Sequence, residues 1–194
     1  MSENVLLPSR DAAARWLMVI DMQRIFGEPI SEWATPDYAS AAAGIQRLLR
    51  AFDSRTCFTR FLPPKQPTGI WMTYYQRWPF ALDPGNAPLY DLSDEFASIA
   101  ANTLDRTTFG KWDAQTDRVL EYPGEIVLAG VTTDCCVLST ALAATDAGVH
   151  VIVAADACAG VTEADHQRAL DAMTLYSPMI DIAEVDTILA SRAP

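Results

Sequence analysis

Two adjacent cysteines, Cys135 and Cys136, are the residues of this sequence best placed to do chemistry. They come soon after residues 126–131, an apolar run rich in β-branched side chains that predicts a buried strand. The intervening polar residues 132–134 are of types that cap helices, which places the cysteines in the first turn of a helix. A thiol there faces the positive end of the helix dipole, which favours the thiolate, and the N–H groups of that turn can bind an oxyanion. The pattern predicts a nucleophilic cysteine with a lowered pKa.

The same two cysteines have a simpler interpretation, as small buried hydrophobic side chains. Successive residues of a helix point about 100° apart, so only one of the two can face a crevice at the end of the strand. From the residues alone, the choice between Cys135 and Cys136 stays open.

A second candidate is Asp21, which ends the apolar run of residues 15–20. The run predicts a first buried strand, whose carboxyl end would present the carboxylate to a crevice. A carboxylate at such a position is equally typical of a turn or a helix cap. Both interpretations of Asp21 stay open at this point.

The order of the apolar and amphipathic segments indicates which elements position these residues. Strands are predicted at residues 15–21, 56–62, 126–131, 150–156 and within 179–185. Helices are predicted at residues 37–52, between 132 and 148, and from 162 to about 176. This alternation predicts an α/β fold, with a three-layer, mostly parallel open sheet of about six strands and helices on both faces. With 194 residues, the chain is expected to form a single domain, residues 1–194.

Residues 63–92 are rich in proline and in aromatic side chains. Trp71, Tyr74, Tyr75 and Trp78 follow the spacing i, i+3, i+4, i+7, which predicts one face of a short helix. Either this face packs onto the body of the protein, or the segment covers the substrate as a lid.

The composition argues against several classes of partner and cofactor. A formal net charge of −11 disfavours binding to nucleic acid or to anionic membranes. The sequence has neither a signal peptide nor an apolar run of about 18 residues, so a cytoplasmic protein is expected. The only histidines, His150 and His166, lie in no cluster with metal-ligand spacing, and no glycine-rich dinucleotide or phosphate motif is present. We expect no metal and no other cofactor.

Two segments resemble the isochorismatase-like cysteine hydrolases, a family that includes nicotinamidases, carbamoylsarcosine amidohydrolase and ureidoacrylate amidohydrolase. They are GVTTDCCVLSTALAA at residues 130–144 and VIDMQ at residues 19–23. The resemblance implies that Cys136 is the nucleophile and that Asp21 is the catalytic acid and base. It also implies a cis peptide between Val131 and Thr132 that aims their backbone at the substrate oxygen.

The family's catalytic cation is a lysine a few residues before an aromatic side chain. Aligning Trp112 with that aromatic residue puts Arg106 in the place of the lysine, whereas Lys111 is a rival cation. The resemblance therefore implies Arg106. Because arginine is effectively never deprotonated, it could only stabilise negative charge, and proton transfer would then depend on Asp21.

The resemblance implies a cysteine-dependent hydrolase that cleaves a C–N bond of a small amide, ureido or carbamoyl compound through a thioester. Its substrate is a small molecule, and a homo-oligomer is expected. The substrate-binding residues are predicted to be Phe26, Arg60, Trp71 and Trp112. Two alternatives remain. One is an isochorismatase-type ether hydrolase, although those relatives lack the cysteine, and the other is a catalytically silent scaffold or thiol redox sensor.

Overall fold

Six parallel strands form one sheet in the computed structural model, which describes residues 9–191. In chain order, the strands are β1 (Asp11–Ile20), β2 (Thr56–Phe61), β3 (Thr103–Arg106), β4 (Pro123–Val131), β5 (His150–Ala159) and β6 (Ile180–Ala183). Their order across the sheet is β3-β2-β1-β4-β5-β6, and every neighbouring pair is parallel. The predicted parallel α/β sheet is confirmed.

Helices connect the strands. They are α1 (Arg24–Gly27), α2 (Tyr38–Phe52), α3 (Ile70–Arg77), α4 (Asp94–Ala97), α5 (Ala114–Val119), α6 (Leu138–Asp146), α7 (Glu163–Thr174) and α8 (Val185–Ala190). Two 3₁₀ turns follow α3, at Pro79–Leu82 and Pro84–Tyr90, and a π-helical turn at Thr133–Val137 precedes α6. Within the described part of the chain, no helix combines the length and the apolar character needed to cross a membrane.

Each face of the sheet buries its own apolar cluster. Along β1, Leu17 and Val19 point into the cluster that includes α2 and α8, whereas Met18 and Ile20 point into the cluster that includes α6 and α7. This alternation is the period of two expected for a strand covered on both sides. The β1 sequence therefore matches a three-layer arrangement, in which helices cover both faces of the sheet.

Several elements differ from the sequence-based prediction, among them β3 and β5. Strand β3 was not predicted, because it is a four-residue edge strand of sequence TLDR with no apolar pattern to mark it. Strand β5 continues to Ala159, past the predicted end at residue 156, because a register shift against β4 lets pairing resume at Cys158. Neither difference changes the topology of the centre of the sheet.

The strand order reverses between β1 and β4, and the carboxyl ends of these two strands lie side by side at that point. In open parallel sheets, ligands bind in the crevice at such a reversal. Gly130 of β4 pairs with Ile20 there, and a Cβ atom added to Gly130 would lie 2.1 Å from the Ile20 carbonyl oxygen. Only glycine allows this close approach, which brings the residues after β1 next to the turn after β4.

Candidate active site

Asp21 directly follows β1, and its side chain is fully buried. Its φ of 50° lies in the left-handed region, which is uncommon for a residue other than glycine and directs the chain out of the sheet. The Thr59 hydroxyl of β2 donates to Asp21 Oδ1 at 2.7 Å and accepts from the Asp21 backbone N–H at 3.2 Å. Thr59 thus fixes both the backbone and the carboxylate of Asp21.

Lys111 supplies the positive charge beside this carboxylate. Its Nζ lies 2.9 Å from Asp21 Oδ2, and both side chains are fully buried. Nζ also donates to the Thr108 carbonyl oxygen at 2.7 Å and lies 5.0 Å from the centre of the Phe61 ring. A buried ammonium group is tolerated when it is paired and hydrogen-bonded, as it is here. Asp21 and Lys111 therefore form one buried ion pair.

Arg106 does not occupy this position, and the sequence-based choice of Arg106 as the cation is corrected. The Arg106 Nε lies 3.0 Å from Asp113 Oδ2, and the Arg106 Nη2 donates to the Thr116 hydroxyl at 2.8 Å. Arg106 ends β3, at the edge of the sheet, whereas the loop after β3 carries Lys111 back to the crevice. Aligning Trp112 with the family's aromatic residue compares positions along the chain, so it could not show that the loop brings Lys111 rather than Arg106 to the crevice.

Cys136 lies in the π-helical turn after β4 and is 4% exposed. Its thiol lies close enough to the Asp21 carboxylate and to the Lys111 ammonium group for both charges to act on it. The structure therefore brings three candidate residues, Asp21, Lys111 and Cys136, into one buried cluster at the carboxyl ends of β1 and β4.

The predicted lowering of the cysteine pKa is wrong for the resting site. Burial raises the pKa of the Cys136 thiol well above its usual range, the Asp21 carboxylate raises it further, and Lys111 only partly opposes this rise. The prediction was based on the helix dipole and the N–H groups of the first turn, but desolvation and a neighbouring carboxylate favour the neutral thiol. Cys136 thus needs a base to become a nucleophile.

Cys135 has different surroundings, although it lines the same cavity. It is half-buried, and its Sγ lies 3.5 Å from Asp134 Oδ2. Burial, and then the Asp134 carboxylate, raise the pKa of the Cys135 thiol to about 11. Cys135 therefore pairs with a carboxylate that itself accepts a hydrogen bond from the backbone N–H of Val161.

The peptide bond between Val131 and Thr132 is cis, as the resemblance implied. Thr132 lines the cavity together with Cys136, and its carbonyl oxygen accepts hydrogen bonds from the N–H groups of Cys135 and Val137. The backbone of this junction is therefore held next to the cysteine thiol.

A cavity of about 300 Å³ opens above Cys136. Its walls are mostly aromatic, and the rings that line it belong to Phe26, Trp33, Phe61, Tyr74, Trp78 and Phe109. Two charged side chains, Glu32 and Arg77, also line it, and Arg77 lies 5.5 Å from the centre of the Trp78 ring. The site therefore combines an apolar slot, which Cys136 lines, with the buried Asp21–Lys111 ion pair next to that thiol.

Of the four predicted substrate-binding residues, Phe26 is the one that lines this cavity. Arg60 is held by Asp105 at 2.8 Å, because Arg60 of β2 lies opposite Asp105 of the edge strand β3. Trp71 packs against Tyr74 and Phe109 behind the cavity wall. Trp112 is buried in the core on the α6 side of the sheet. These three assignments are corrected: each of the side chains is occupied by packing or pairing.

Trp33 and Phe109 are cavity residues that sequence reasoning missed. Trp33 lies at the centre of an aromatic cluster, with ring centres 6.1 Å from Phe26 and 6.0 Å from Tyr74. The available signal was a tryptophan in a polar loop after β1, where loops at carboxyl ends carry binding residues. The aromatic segment at residues 63–92 both packs onto the body, through Tyr75, and forms a wall of the cavity, through Tyr74.

A family model described as the isochorismatase domain matches residues 15–184. Among curated proteins, none matches this sequence. The sequence relationship is therefore carried by the family pattern, which spans most of the chain.

Solved structures show the same fold. A cysteine hydrolase from Pseudomonas syringae pv. phaseolicola 1448A has a TM-score of 0.81 and 19% identity over 98% of both chains. An isochorismatase-like hydrolase from Alkaliphilus metalliredigens has a TM-score of 0.75 and 18% identity, covering 93% of this chain and 100% of its own. A nicotinamidase from Bacillus subtilis has a TM-score of 0.70 and 17% identity, covering 88% and 99%. At these identities, the likeness establishes the fold.

Proposed function

The chain belongs to the isochorismatase family, and we propose that it is a cysteine hydrolase that cleaves a C–N bond of a small amide, ureido or carbamoyl compound. One observation carries the proposal. Asp21, Lys111 and Cys136 form a buried cluster, and Cys136 of this cluster lines a cavity that can hold a small molecule. A nucleophile within hydrogen-bond reach of a base, which is itself oriented by a third group, is the arrangement typical of covalent catalysis.

The first step would form a thioester. Asp21, which lies beside the Cys136 thiol, accepts its proton, and the sulfur attacks the substrate carbonyl carbon. Negative charge then develops on the carbonyl oxygen, where backbone N–H groups around Thr132 and Cys136 stabilise it. Lys111 keeps Asp21 oriented and lowers the pKa of the Cys136 thiol, so it favours the ionised sulfur in the transition state.

The second step would release the products. Asp21 returns its proton to the leaving nitrogen as the C–N bond breaks, and ammonia or an amine departs. A water molecule, deprotonated by the same carboxylate, then attacks the thioester, and the sulfur leaves and regains a proton. The products are a carboxylic or carbamic acid and the amine, and Asp21 and Cys136 return to their starting protonation.

The cavity favours a particular kind of substrate. Six aromatic rings bound a space of about 300 Å³, which suits a flat, largely apolar acyl group stacked between them. We therefore propose that aromatic or heteroaromatic amides bind better than aliphatic amides of the same size.

The alternatives fit the site less well. Redox-sensing thiols are exposed and have a low pKa, whereas Cys136 is buried and has a raised pKa. An ether hydrolase of this family would not need a thiol next to its carboxylate, as Cys136 is to Asp21. Both observations favour amide hydrolysis.

Ammonia release tests the proposed function directly. Purified protein would be assayed against matched aromatic and aliphatic primary amides, ureas and carbamoyl amino acids, with the Cys136→Ala variant beside it. We expect release from at least one aromatic amide in the wild type and none above background in the variant. The proposal would be refuted if the two proteins released ammonia equally, or if the wild type released none from any compound of the panel.

The two candidate cations give a ranked prediction. Lys111→Met should lower kcat by about 100-fold or more, because it removes the charge that favours the ionised sulfur and leaves Asp21 unpaired. Arg106→Met should cost about tenfold or less, since Arg106 reaches the site only through Thr116. Steady-state kinetics would be compared after thermal unfolding has shown that both variants fold. The reverse ranking would restore Arg106 as the catalytic cation.

A further inference from the structure

Thr140 joins the two segments that carry Cys136 and Lys111. It lies in α6, is fully buried, and its hydroxyl makes two hydrogen bonds. The hydroxyl donates to the Cys136 carbonyl oxygen at 2.6 Å and accepts from the Lys111 backbone N–H at 3.0 Å. One oxygen atom thus connects the turn after β4 to the loop after β3.

The bond from Thr140 to the Cys136 carbonyl is of a kind common in helices, whereas the bond from the Lys111 N–H to Thr140 is not. A threonine hydroxyl often donates to the carbonyl four residues earlier, which is the relation of Thr140 to Cys136. Acceptance from Lys111, 29 residues away in sequence, is a tertiary contact. Only a group that donates and accepts at once makes both bonds, and a hydroxyl is such a group.

Lys111 is held on its other side as well. Its carbonyl oxygen accepts from the Thr116 hydroxyl at 2.7 Å, and that hydroxyl accepts from Arg106 at 2.8 Å. Both backbone polar groups of Lys111 are therefore fixed by buried threonines. Of these two threonines, Thr140 is the one that also bonds the backbone of the residue that bears the thiol.

Resting on the proposed function, we infer that Thr140 is a positioning residue that holds the Lys111 amine in register with Asp21 and the Cys136 sulfur. The lysine side chain begins at the Cα atom bonded to the nitrogen that Thr140 holds, and its amine ends 2.9 Å from Asp21 Oδ2. A shift of the Lys111 backbone would move the amine away from both partners, and positional errors of about 1 Å can cost about 100-fold in rate.

Three variants test this inference. Thr140→Val keeps the shape and removes the hydroxyl, whereas Thr140→Ser keeps the hydroxyl. Thr145→Val is the matched control, because Thr145 is buried on the same helix and its hydroxyl has no hydrogen-bond partner. If Thr140→Val fails to fold, Thr140→Ala replaces it in every measurement.

The first readout is turnover of the best amide from the panel. We expect Thr140→Val to lower kcat by about tenfold to 100-fold with KM changed by less than about threefold. Thr140→Ser should recover most of the lost kcat, and Thr145→Val should match the wild type. Loss of kcat in Thr140→Ser equal to that in Thr140→Val would overturn the inference.

The second readout needs no substrate. The rate of Cys136 alkylation would be followed against pH, with the modified residue assigned by tandem mass spectrometry to separate it from Cys135. The charged and titratable groups that act on this thiol include Asp21, Lys111, Cys135 and Tyr74, and the lysine is the one among them that lowers its pKa. A displaced lysine therefore slows alkylation and moves the profile to higher pH, whereas mere loosening of the packing would expose the thiol and speed alkylation.

The two readouts separate the inference from the proposed function. If the wild type hydrolyses no amide, the proposed function fails, and the alkylation profile still decides the role of Thr140. A slower, alkaline-shifted profile in Thr140→Val supports the positioning role. An unchanged or faster profile overturns it.

Discussion

Replacing Cys136 with alanine should lower kcat by at least about ten-thousandfold, because the thioester cannot form without the sulfur. Wild-type protein quenched in acid during turnover should carry the acyl group, seen as a mass increase on the peptide that contains residues 135 and 136. The same experiment on Cys136→Ala should show no added mass. The measurement therefore follows both the rate and the intermediate.

Cys135→Ala is the matched control for this prediction. Its thiol interacts with Asp134 rather than with Asp21, so we expect kcat to stay within about fivefold of the wild-type value. The acyl mass should still appear in this variant, now on a peptide with a single cysteine. Equal losses in the two variants, or an acyl group that disappears with Cys135, would contradict the assignment of the nucleophile.

Asp21→Asn should change turnover and thiol reactivity in opposite directions. Turnover should fall by about 100-fold to ten-thousandfold, because asparagine neither accepts the thiol proton nor returns one to the leaving nitrogen. Alkylation of Cys136 should become faster at neutral pH. The Asp21 carboxylate raises the pKa of that thiol, so its removal lowers the pKa and leaves the positive charge of Lys111 unopposed.

The alkylation rate of Cys136, measured against pH, tests whether loss of the Asp21 carboxylate lowers the pKa of the thiol. The wild-type rate should rise only at alkaline pH, and the Asp21→Asn profile should lie at lower pH than the wild-type profile. The Lys111→Met profile should move the other way, since the lysine lowers the same pKa. If Asp21→Asn and Lys111→Met moved the profile in the same direction, the electrostatic description of the site would be wrong.

These expectations depend on the surroundings of Cys136, which local sequence could not supply. The helix-start pattern at residues 132–134 predicted a stabilised thiolate, but in the folded protein burial and Asp21 outweigh the dipole. The charge near a residue is a sum over segments that are distant in sequence. Here the carboxylate comes from the end of β1 and the ammonium group from the loop after β3.

The catalytic cation shows the same limit. Arg106 and Lys111 are five residues apart in one polar segment, and no periodic pattern distinguishes them. The return of the chain after β3 decides between them, because it buries Lys111 against Asp21 and leaves Arg106 paired with Asp113. Local sequence could not predict the walls of the cavity either, because Trp33, Tyr74 and Phe109 come from three separate segments.

The sequence by itself determined the α/β sheet and the two strands whose carboxyl ends present Asp21 and the cysteine turn, whereas the cis junction was implied by the family resemblance alone. The sheet and its two central strands depend on short contiguous patterns, which are apolar runs of strand length followed by turn-forming or capping residues. Tertiary structure alone decided which cation joins the cluster, the direction of the thiol pKa and the shape of the cavity. Each of these arises from burial and from contacts between segments remote in sequence, and desolvation and Coulomb interactions depend on distance in space rather than along the chain.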